Sequence, residues 1–402
     1  DAQAASRGLG LVMSAQSSWT AEAVANIPLS LYLHWPWCVR KCPYCDFNSH
    51  AAPADLAERE YVDMVLKDLE GWLSVAGGRR IETVFIGGGT PSLMSGDAVA
   101  RLLEGADGLF GFTSDCEITL EANPGTVDEG RFRAFRDAGV NRVSVGVQSF
   151  MNEKLRKLGR IHVSEEALRA AAHAGEVFGN FNLDLMFALP GETLEEVARE
   201  VETAVATGAT HLSFYQLTIE PGTAFAKRVP EDLPDDDLCA DMSDLVIRSL
   251  EEAGFEHYEV SGYAGPGCRC RHNLNYWTFG DYLAAGAGAH GKVTTQDGVV
   301  REVRHASPRK YMASVSETGS GIAERRAVES GDLPFEFMLN ALRLTEGVPA
   351  ELFEARTGLS LKVVEPILSD LRVQGLLAAD ELVIRPTARG RAFLSDLQEA
   401  FL

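Results

Sequence analysis

Between residues 28 and 217 a short apolar run is followed, time after time, by a helical pattern of apolar residues. The runs are Leu29–Leu33, Ile81–Ile86, Glu117–Leu120, Arg142–Val147, Phe181–Met186 and His211–Leu217. The helical patterns cover Asp55–Ala76, Asp97–Phe110, Glu129–Ala138, Ser164–Val177 and Leu194–Thr207. Tyr61, Val62, Met64, Val65, Leu69, Trp72 and Leu73 show the near-helical spacing of the first of these. Strands alternating with helices of this length predict a right-handed parallel β/α sheet. Six such units are too few for a closed eight-stranded barrel, so the expected fold is α/β, a partial TIM-like (β/α)6 barrel. The first strand reads as a short buried one with little alternation.

Each strand hands off to a polar or Gly-rich loop, and in parallel α/β folds the loops at the C-terminal strand ends build the site. That topology predicts that the loop after Leu33, the turn Gly87-Gly88-Gly89, Glu121, Gln148 and Asp184 converge on one rim. The loop after Leu33 holds Cys38, Cys42 and Cys45 at C-x-x-x-C-x-x-C spacing, so one loop can aim three thiolates at one object. Three thiolates leave one iron of a [4Fe–4S] cubane without a protein ligand. A structural zinc site would want a second C-x-x-C or a His pair, and the flanking His34 and His50 complete neither pattern. Gly87–Gly89 with Thr90 lets the backbone approach a ligand and is expected to offer free N–H groups. Taken alone it also reads as a tight strand–helix turn, and it matches no phosphate-loop pattern.

The balance of 37 Lys and Arg against 58 Asp and Glu gives a formal net charge of −21, which argues against a nucleic-acid binder. Seven cysteines without a disulfide-framework spacing point to a reducing, cytoplasmic setting. No apolar run approaches the ~18 residues of a membrane span, and no signal peptide is legible. Residues 1–27, rich in Ala, Ser and Gly, read as a flexible tail.

After Pro221 the pattern changes. Leu233-Pro-Asp-Asp-Asp237 signals a helix start, and the helix is expected to run to about Ala253. Residues 226–304 form an extension that is dense in Gly, aromatics and Cys after Tyr258. It contains Cys268-Arg-Cys270-Arg-His272-Asn-Leu-Asn-Tyr276-Trp277. On residues alone this loop has two readings. In one, His272 ligates an iron beside a flat apolar wall of Tyr276 and Trp277; in the other, the loop is packed and the His is hydrogen-bonded. Residues 305–402 read as a mostly helical, winged-helix-like domain, with a β-ribbon over Leu376–Ile384. Its acidity favours a structural or partner-docking role over DNA binding.

Tyr32-x-His34-x-Pro36, the three cysteines and Cys45-Asp-Phe47 resemble the radical S-adenosylmethionine (SAM) superfamily, in its oxygen-independent coproporphyrinogen III oxidase-like branch. Similar segments include Gly87-Gly-Gly-Thr-Pro-Ser, Leu120-Glu-Ala-Asn-Pro-Gly, Gly146-Val-Gln-Ser-Phe, Gly159-Arg-Ile-His162 and Asn182-Leu-Asp-Leu-Met186. With Tyr215-Gln-Leu-Thr-Ile-Glu-Pro221 and His272-Asn-Leu-Asn-Tyr-Trp277-x-Phe-Gly-Asp281, the resemblance narrows to HemW-type haem chaperones. It implies a [4Fe–4S] cluster on Cys38, Cys42 and Cys45, with SAM chelating the fourth iron. By resemblance Tyr32, Tyr44, Gly87, Gly88, Gly89, Thr90, Glu121, Gln148, Arg160 and Asp184 contact SAM, and His272 ligates haem. Coproporphyrinogen oxidases resemble C-x-x-x-C-x-x-C-x-C, whereas position 47 here is Phe. The resemblance therefore implies a chaperone that binds haem and passes it to an acceptor haemoprotein, membrane-associated respiratory proteins among them. It admits a homodimer. The alternative is a radical SAM enzyme acting on a porphyrin, or a related methyltransferase.

Overall fold

The computed structural model describes residues 19–402. Its strands are β1 (Leu29–Trp35), β2 (Ile81–Gly88), β3 (Phe112–Ala122), β4 (Arg142–Gln148), β5 (Phe181–Phe187) and β6 (His211–Gln216). They continue with β7 (Glu256–Glu259), β8 (Gly262–Ala264), β9 (Asp281–Ala285), β10 (His290–Thr295), β11 (Gly298–Arg304) and β12 (Ile322–Ala327). β1 to β6 lie side by side in chain order and pair in parallel, as the six-unit reading predicts.

The sheet is nevertheless mixed and larger. Beyond β6 lie β8 and β7; on the opposite edge β9 joins β1 in parallel and β10, β11 and β12 follow antiparallel, giving twelve strands. The Gly-, aromatic- and Cys-dense stretch thus contributes strands as well as a loop. The sheet also runs past residue 304, since β12 reaches Ala327, and the second apolar core draws on Phe279 and Val299 of the extension as well as on residues from Val328 onward.

On β1 the apolar residues Leu29, Leu31, Leu33 and Trp35 are buried in the main core with the covering helices, while Ser30, Tyr32 and His34 face the other way. The same alternation places Thr83, Glu117, Thr119, Glu121, Ser144, Asn182, Asp184, His211 and Ser213 on one polar face. Register stacks that face directly: Glu121 opposite Ser144, Gly146 opposite Asp184, and Asp184 opposite Ser213. Strand alternation therefore decides both core and site.

Helices begin close to where the sequence reading puts them, at Gly96–Phe110, Glu129–Asp137, Ser164–Phe178, Leu194–Ala206 and Asp236–Glu252. Asp235 caps the last of these by accepting from the Leu238 N–H. The first helical region breaks at Gly71-Trp72 into Glu58–Glu70 and Leu73–Ala76. The C-terminal helices Leu333–Ala341, Glu351–Thr357 and Glu365–Val373 surround their own apolar cluster. The expected ribbon forms, with Leu377 bridging Pro386 and the Ala378 N–H donating to the Arg385 carbonyl at 2.9 Å, and Val383–Ile384 also zips onto Val348–Pro349. Trp19 packs into this cluster and Ala21–Ala25 is helical, so residues 19–27 are folded; residues 1–18 of the expected tail lie outside the described residues.

Candidate functional site

A cavity of about 450 Å³ opens at the C-terminal ends of the parallel strands. It is lined by Cys38, Cys42, Tyr44, Cys45, Gly88, Gly89, Thr90, Glu121, Gln148, Arg160 and Asp184. All the residues read from the sequence are there except Tyr32, Gly87 and His272. None of the seven cysteines is in a disulfide among the described residues.

The cysteine loop is held from several sides. Lys41 Nζ donates to the Phe47 carbonyl at 2.8 Å, and Arg40 reaches the Gly159 carbonyl at 2.5 Å. Asn48 Nδ2 donates to the carbonyls of Ala287 and Ala306, both at 2.8 Å, which fastens the loop to the sheet extension. Burial pushes the thiols of Cys38 and Cys45 up, against hydrogen bonds from Thr90 and Ser49 to Cys38 and from Ser49 to Cys45. A bound cation at the loop reverses that cost by stabilising thiolates. Among the described residues no three His, Cys, Asp or Glu side chains gather around a single metal ion. Three thiols line one cavity, the donor set that a thiolate-held iron–sulfur cluster uses.

The glycine turn differs from expectation. Its N–H groups are not left for a ligand: Gly88 donates to Glu121 Oε2 at 3.0 Å, Gly89 to the Trp35 carbonyl at 2.7 Å, and Thr90 to the Trp37 carbonyl at 2.8 Å. The turn is stitched to the strand entering the cysteine loop, and close packing is what requires glycine. A Cβ on Gly89 would stand 2.6 Å from the Trp37 carbonyl oxygen. Gly87 sits below the cavity, where a Cβ would meet the Phe85 ring at 2.9 Å and Glu121 at 3.1 Å.

Four carboxyls line the cavity, Asp46, Glu121, Asp184 and Glu220, and two of them, Glu121 and Asp184, stand on the polar strand face. Burial, then the charge of Asp184, raises Glu121 to about 8, despite the Gly88 N–H. Asp184 is also raised by burial, opposed by Ser144 Oγ at 2.6 Å and Asn182 Nδ2 at 2.8 Å. Arg160 supplies positive charge: Nη2 donates to the Gly146 carbonyl at 2.6 Å and Nη1 lies 3.4 Å from Tyr44 Oη and 3.7 Å from Cys42 Sγ. Gln148 lines the cavity at φ +68°, an unusual backbone for a non-glycine residue and a form of strain that collects at ligand sites. The result is a pocket with carboxylates for hydroxyl groups, a guanidinium, and open thiols.

Glu121 makes the stability of the protein pH-dependent. Because its folded pKa of about 8 exceeds the ordinary 4.5, the folded chain holds a proton that the unfolded chain has released between those values. Stability of the ligand-free protein should therefore fall as pH rises through that window. Thermal unfolding at stepped pH should show Glu121→Gln with a shallower decline, the residue of the slope coming from Asp184. Equal slopes would contradict the burial argument.

Tyr32 and His272 stand deeper. Tyr32 Oη and His34 Nδ1 are 2.9 Å apart, and His34 Nε2 meets the Asn48 carbonyl at 2.9 Å, so His34 links barrel interior to cysteine loop. Burial lowers His34 to about 4, leaving it neutral. His272 opens the helix Arg271–Trp277, is 1% exposed, and has both ring nitrogens occupied: Nδ1 by Thr83 Oγ1 at 2.7 Å and Nε2 by Tyr276 Oη at 2.8 Å. Burial, then Arg142, lowers it to about 3. The hydrogen-bonded alternative is what this arrangement shows. Nor do Tyr276 and Trp277 form an open wall: Tyr276 caps His272, and Trp277 lies under Arg343, 4.2 Å from the guanidinium carbon.

Sequence reading missed Ser144, Gly146, Met186 and Tyr215, which also line the cavity. Their signal was present: Ser144, Gly146 and Gln148 fall on alternate positions of β4, as do Asp184 and Met186 on β5.

Residues 32–204 match the radical SAM superfamily, and residues 329–393 match the HemN C-terminal domain. The chain is 49% identical to the haem chaperone HemW of Escherichia coli (strain K12), over 93% of this chain and 98% of that protein. It is 33% identical to the haem chaperone HemW of Bacillus subtilis (strain 168), over 93% and 99%. Its fold matches the solved coproporphyrinogen III oxidase (HemN) of Escherichia coli, a radical SAM enzyme, with a TM-score of 0.80, 24% identity and 96% of each chain covered. That likeness bears on fold alone. Sheet, cysteine loop and full-length identity agree: the chain belongs to the HemW family of the radical SAM superfamily.

Proposed function

We propose that this protein is a haem chaperone that binds haem and passes it to an acceptor haemoprotein, with a [4Fe–4S] cluster on Cys38, Cys42 and Cys45 and SAM beside it. The observation that carries the cofactor part is the single cavity joining three thiols to Glu121, Gln148, Arg160 and Asp184. A SAM molecule offers what that lining accepts: ribose hydroxyls for the carboxylates and a carboxylate for Arg160. When bound, the cluster and SAM supply one-electron chemistry. The residues here position and desolvate them. Haem as cargo rests on the HemW relatives and on the absence of a fourth loop cysteine at position 47, where Phe47 is exposed at the cavity edge.

The test is anaerobic haem titration of the reconstituted protein, run beside an assay with reductant, SAM and coproporphyrinogen III. Haem uptake without protoporphyrinogen formation is the expected outcome. Steady oxidative decarboxylation of coproporphyrinogen would instead establish the enzyme reading.

The role of His272 yields a separate prediction. In the closed arrangement Nε2 belongs to Tyr276, so ligation of haem there requires that hydrogen bond to break. Tyr276→Phe removes the cap and should strengthen haem binding by roughly five- to tenfold, the value of about one hydrogen bond. His272→Ala in the same background should abolish the gain. Equal affinities for wild type and Tyr276→Phe would remove His272 from the haem path.

A further inference from the structure

A row of buried polar side chains runs from the cavity to the helix that carries His272. It starts at Asp184 on β5, where one carboxylate oxygen accepts from Ser144 Oγ at 2.6 Å and the other from Asn182 Nδ2 at 2.8 Å. Asn182 Nδ2 also reaches Ser144 Oγ at 2.7 Å, so the amide oxygen points the other way. There it lies 2.7 Å from His211 Nδ1 and accepts from Ser213 Oγ at 3.1 Å. His211 Nε2 meets Tyr258 Oη at 2.8 Å, and Tyr258 Oη accepts the Cys270 N–H at 3.3 Å. Cys270 immediately precedes the helix Arg271–Trp277.

Each bond fixes the direction of the next. An amide oxygen can only accept, so His211 carries its proton on Nδ1. Burial keeps this imidazole neutral, so Nε2 accepts and the Tyr258 hydroxyl donates to it. The hydroxyl oxygen is left to accept from Cys270, and every donor in the row points towards Asp184. Strand register builds the row: Ser144 stands opposite Asn182, and Asn182 opposite His211. Tyr258 closes the gap from β7, its ring edge-on to the imidazole with centroids 5.6 Å apart. Asn182, His211, Tyr258 and Cys270 are each 3% exposed or less, so these bonds are shielded from solvent. At the helix start Glu117 takes the next two N–H groups, from Arg271 at 3.2 Å and His272 at 3.0 Å. The His272 ring bonds in another direction, Nδ1 to Thr83 and through it to Ser30 near the start of β1.

We propose that Asn182, His211 and Tyr258 are positioning residues through which a ligand on Asp184 holds the Arg271–Trp277 helix closed. This rests on the reading of the cavity as a SAM site and adds a regulation of it. Asp184 keeps lone pairs beyond those that Ser144 and Asn182 use, so a ribose hydroxyl can bond it without displacing either. A carboxylate held from the cavity side holds Asn182 in turn, and order passes along the row to the Cys270 N–H. Coupling of this kind is reciprocal: opening the helix start loosens the support of Asp184 and weakens SAM. SAM in the cavity therefore favours the sealed His272, and its departure favours the open one.

Hydrogen exchange of the reconstituted full-length protein, with and without saturating SAM, reads the helix start directly, because the Cys270 amide is the last donor of the row. Wild type, Tyr258→Phe and His211→Phe are first matched for iron and sulfide content and for circular dichroism, and their SAM affinities are measured by calorimetry. In wild type, SAM is expected to slow exchange over residues 268–277 by about fivefold or more. Tyr258→Phe keeps the ring and removes only the hydroxyl. It is expected to bind SAM within about tenfold of wild type, the value of one hydrogen bond, and to lose most of that slowing. His211→Phe is expected to do the same, and Tyr258→Phe, the milder change, decides alone where His211→Phe fails to fold. Three results would each overturn the row and leave the SAM reading standing: wild type that binds SAM with unchanged exchange over 268–277, slowing spread evenly across the sheet, or full slowing in Tyr258→Phe. Wild type that fails to bind SAM would overturn the SAM reading, and the proposal with it.

Discussion

Replacing Gly88 with alanine should cost about 2–5 kcal/mol of stability, from backbone strain and overpacking together, and should abolish SAM binding. Gly88 has φ +116°, a conformation that side chains rarely adopt, and a Cβ there would lie 2.4 Å from His34 Cε1. The ring cannot step aside, because Tyr32 holds one nitrogen and the Asn48 carbonyl the other. Relief would have to come from the turn, and moving the turn breaks the Gly88 N–H bond to Glu121. Glu121 would then lose its one backbone donor while remaining buried. Gly78→Ala is the matched control: φ is +77°, but no atom lies within 4 Å of its Cβ position. Strain alone should cost it about 1–2 kcal/mol. Urea unfolding of both variants, with SAM binding by calorimetry, separates the effects. Equal losses would mean that the contact with His34 does not constrain the site.

The strands were legible because their apolar runs recur with helices of ordinary length between them. Their faces were read less well. Leu29-Ser-Leu-Tyr-Leu-His-Trp35 alternates strictly, and reading it as a continuous apolar strand hid the fact that Ser30, Tyr32 and His34 share an interior face. Applied to every strand, that period of two would have found Ser144 beside Gln148 and Met186 beside Asp184 from sequence alone. β9 to β12 were illegible for a different reason. Glycines 286 and 288 separate β9 from β10, 291 and 298 fall within β10 and β11, and Asp281–Ala285 is a strand through its pairing with β1 and β10. That β9 pairs with β1 is a tertiary fact with no local signature.

The cysteine loop was legible through spacing, since three thiols in eight residues need no fold to be noticed. The glycine turn was recognised for its place and misread in its bonding. A Gly-Gly-Gly-Thr sequence announces that a backbone comes close to something; here that something is the Trp35–Trp37 chain, which takes the N–H groups of Gly89 and Thr90. His272 shows the opposite failure. Its motif is specific, but whether an imidazole is open or sealed depends on Thr83, 189 residues away, and on Tyr276 one turn along the helix.

Asp281 closes the same motif, and Asp281→Ala should destabilise the protein by about 3–5 kcal/mol, the cost of stranding a buried charge. The carboxylate is fully buried at the start of β9, where it accepts from Arg79 Nη1 at 2.7 Å, the Thr294 N–H at 3.0 Å and Thr294 Oγ1 at 2.9 Å. Lys292 Nζ, itself buried, lies 3.2 Å away and 3.8 Å from the centre of the Phe279 ring. Truncation would leave two cations with no counter-charge between β1, β9 and β10. Burial lowers Lys292 to about 8 even with Asp281 opposing it, and without that carboxylate it falls further. A folded pKa below the ordinary 10.5 means that the unfolded chain binds the extra proton in between, so stability of the variant should rise with pH across that range. The wild type shares the rise above about 8, so the deficit should shrink as pH climbs towards 8 and stay level beyond it. Lys292→Met added to Asp281→Ala should recover part of it at neutral pH. The consequence reaches the Arg271–Trp277 helix: the Asp281 carbonyl accepts from Asn275 Nδ2 at 2.8 Å, tying the strand to the helix that carries His272. Loosening this end should uncover His272, seen as faster hydrogen exchange over residues 271–281 with little change in β2 to β5. Unfolding that is insensitive to pH, or exchange that rises uniformly across the sheet, would show that Asp281 supports the whole barrel rather than this corner of it.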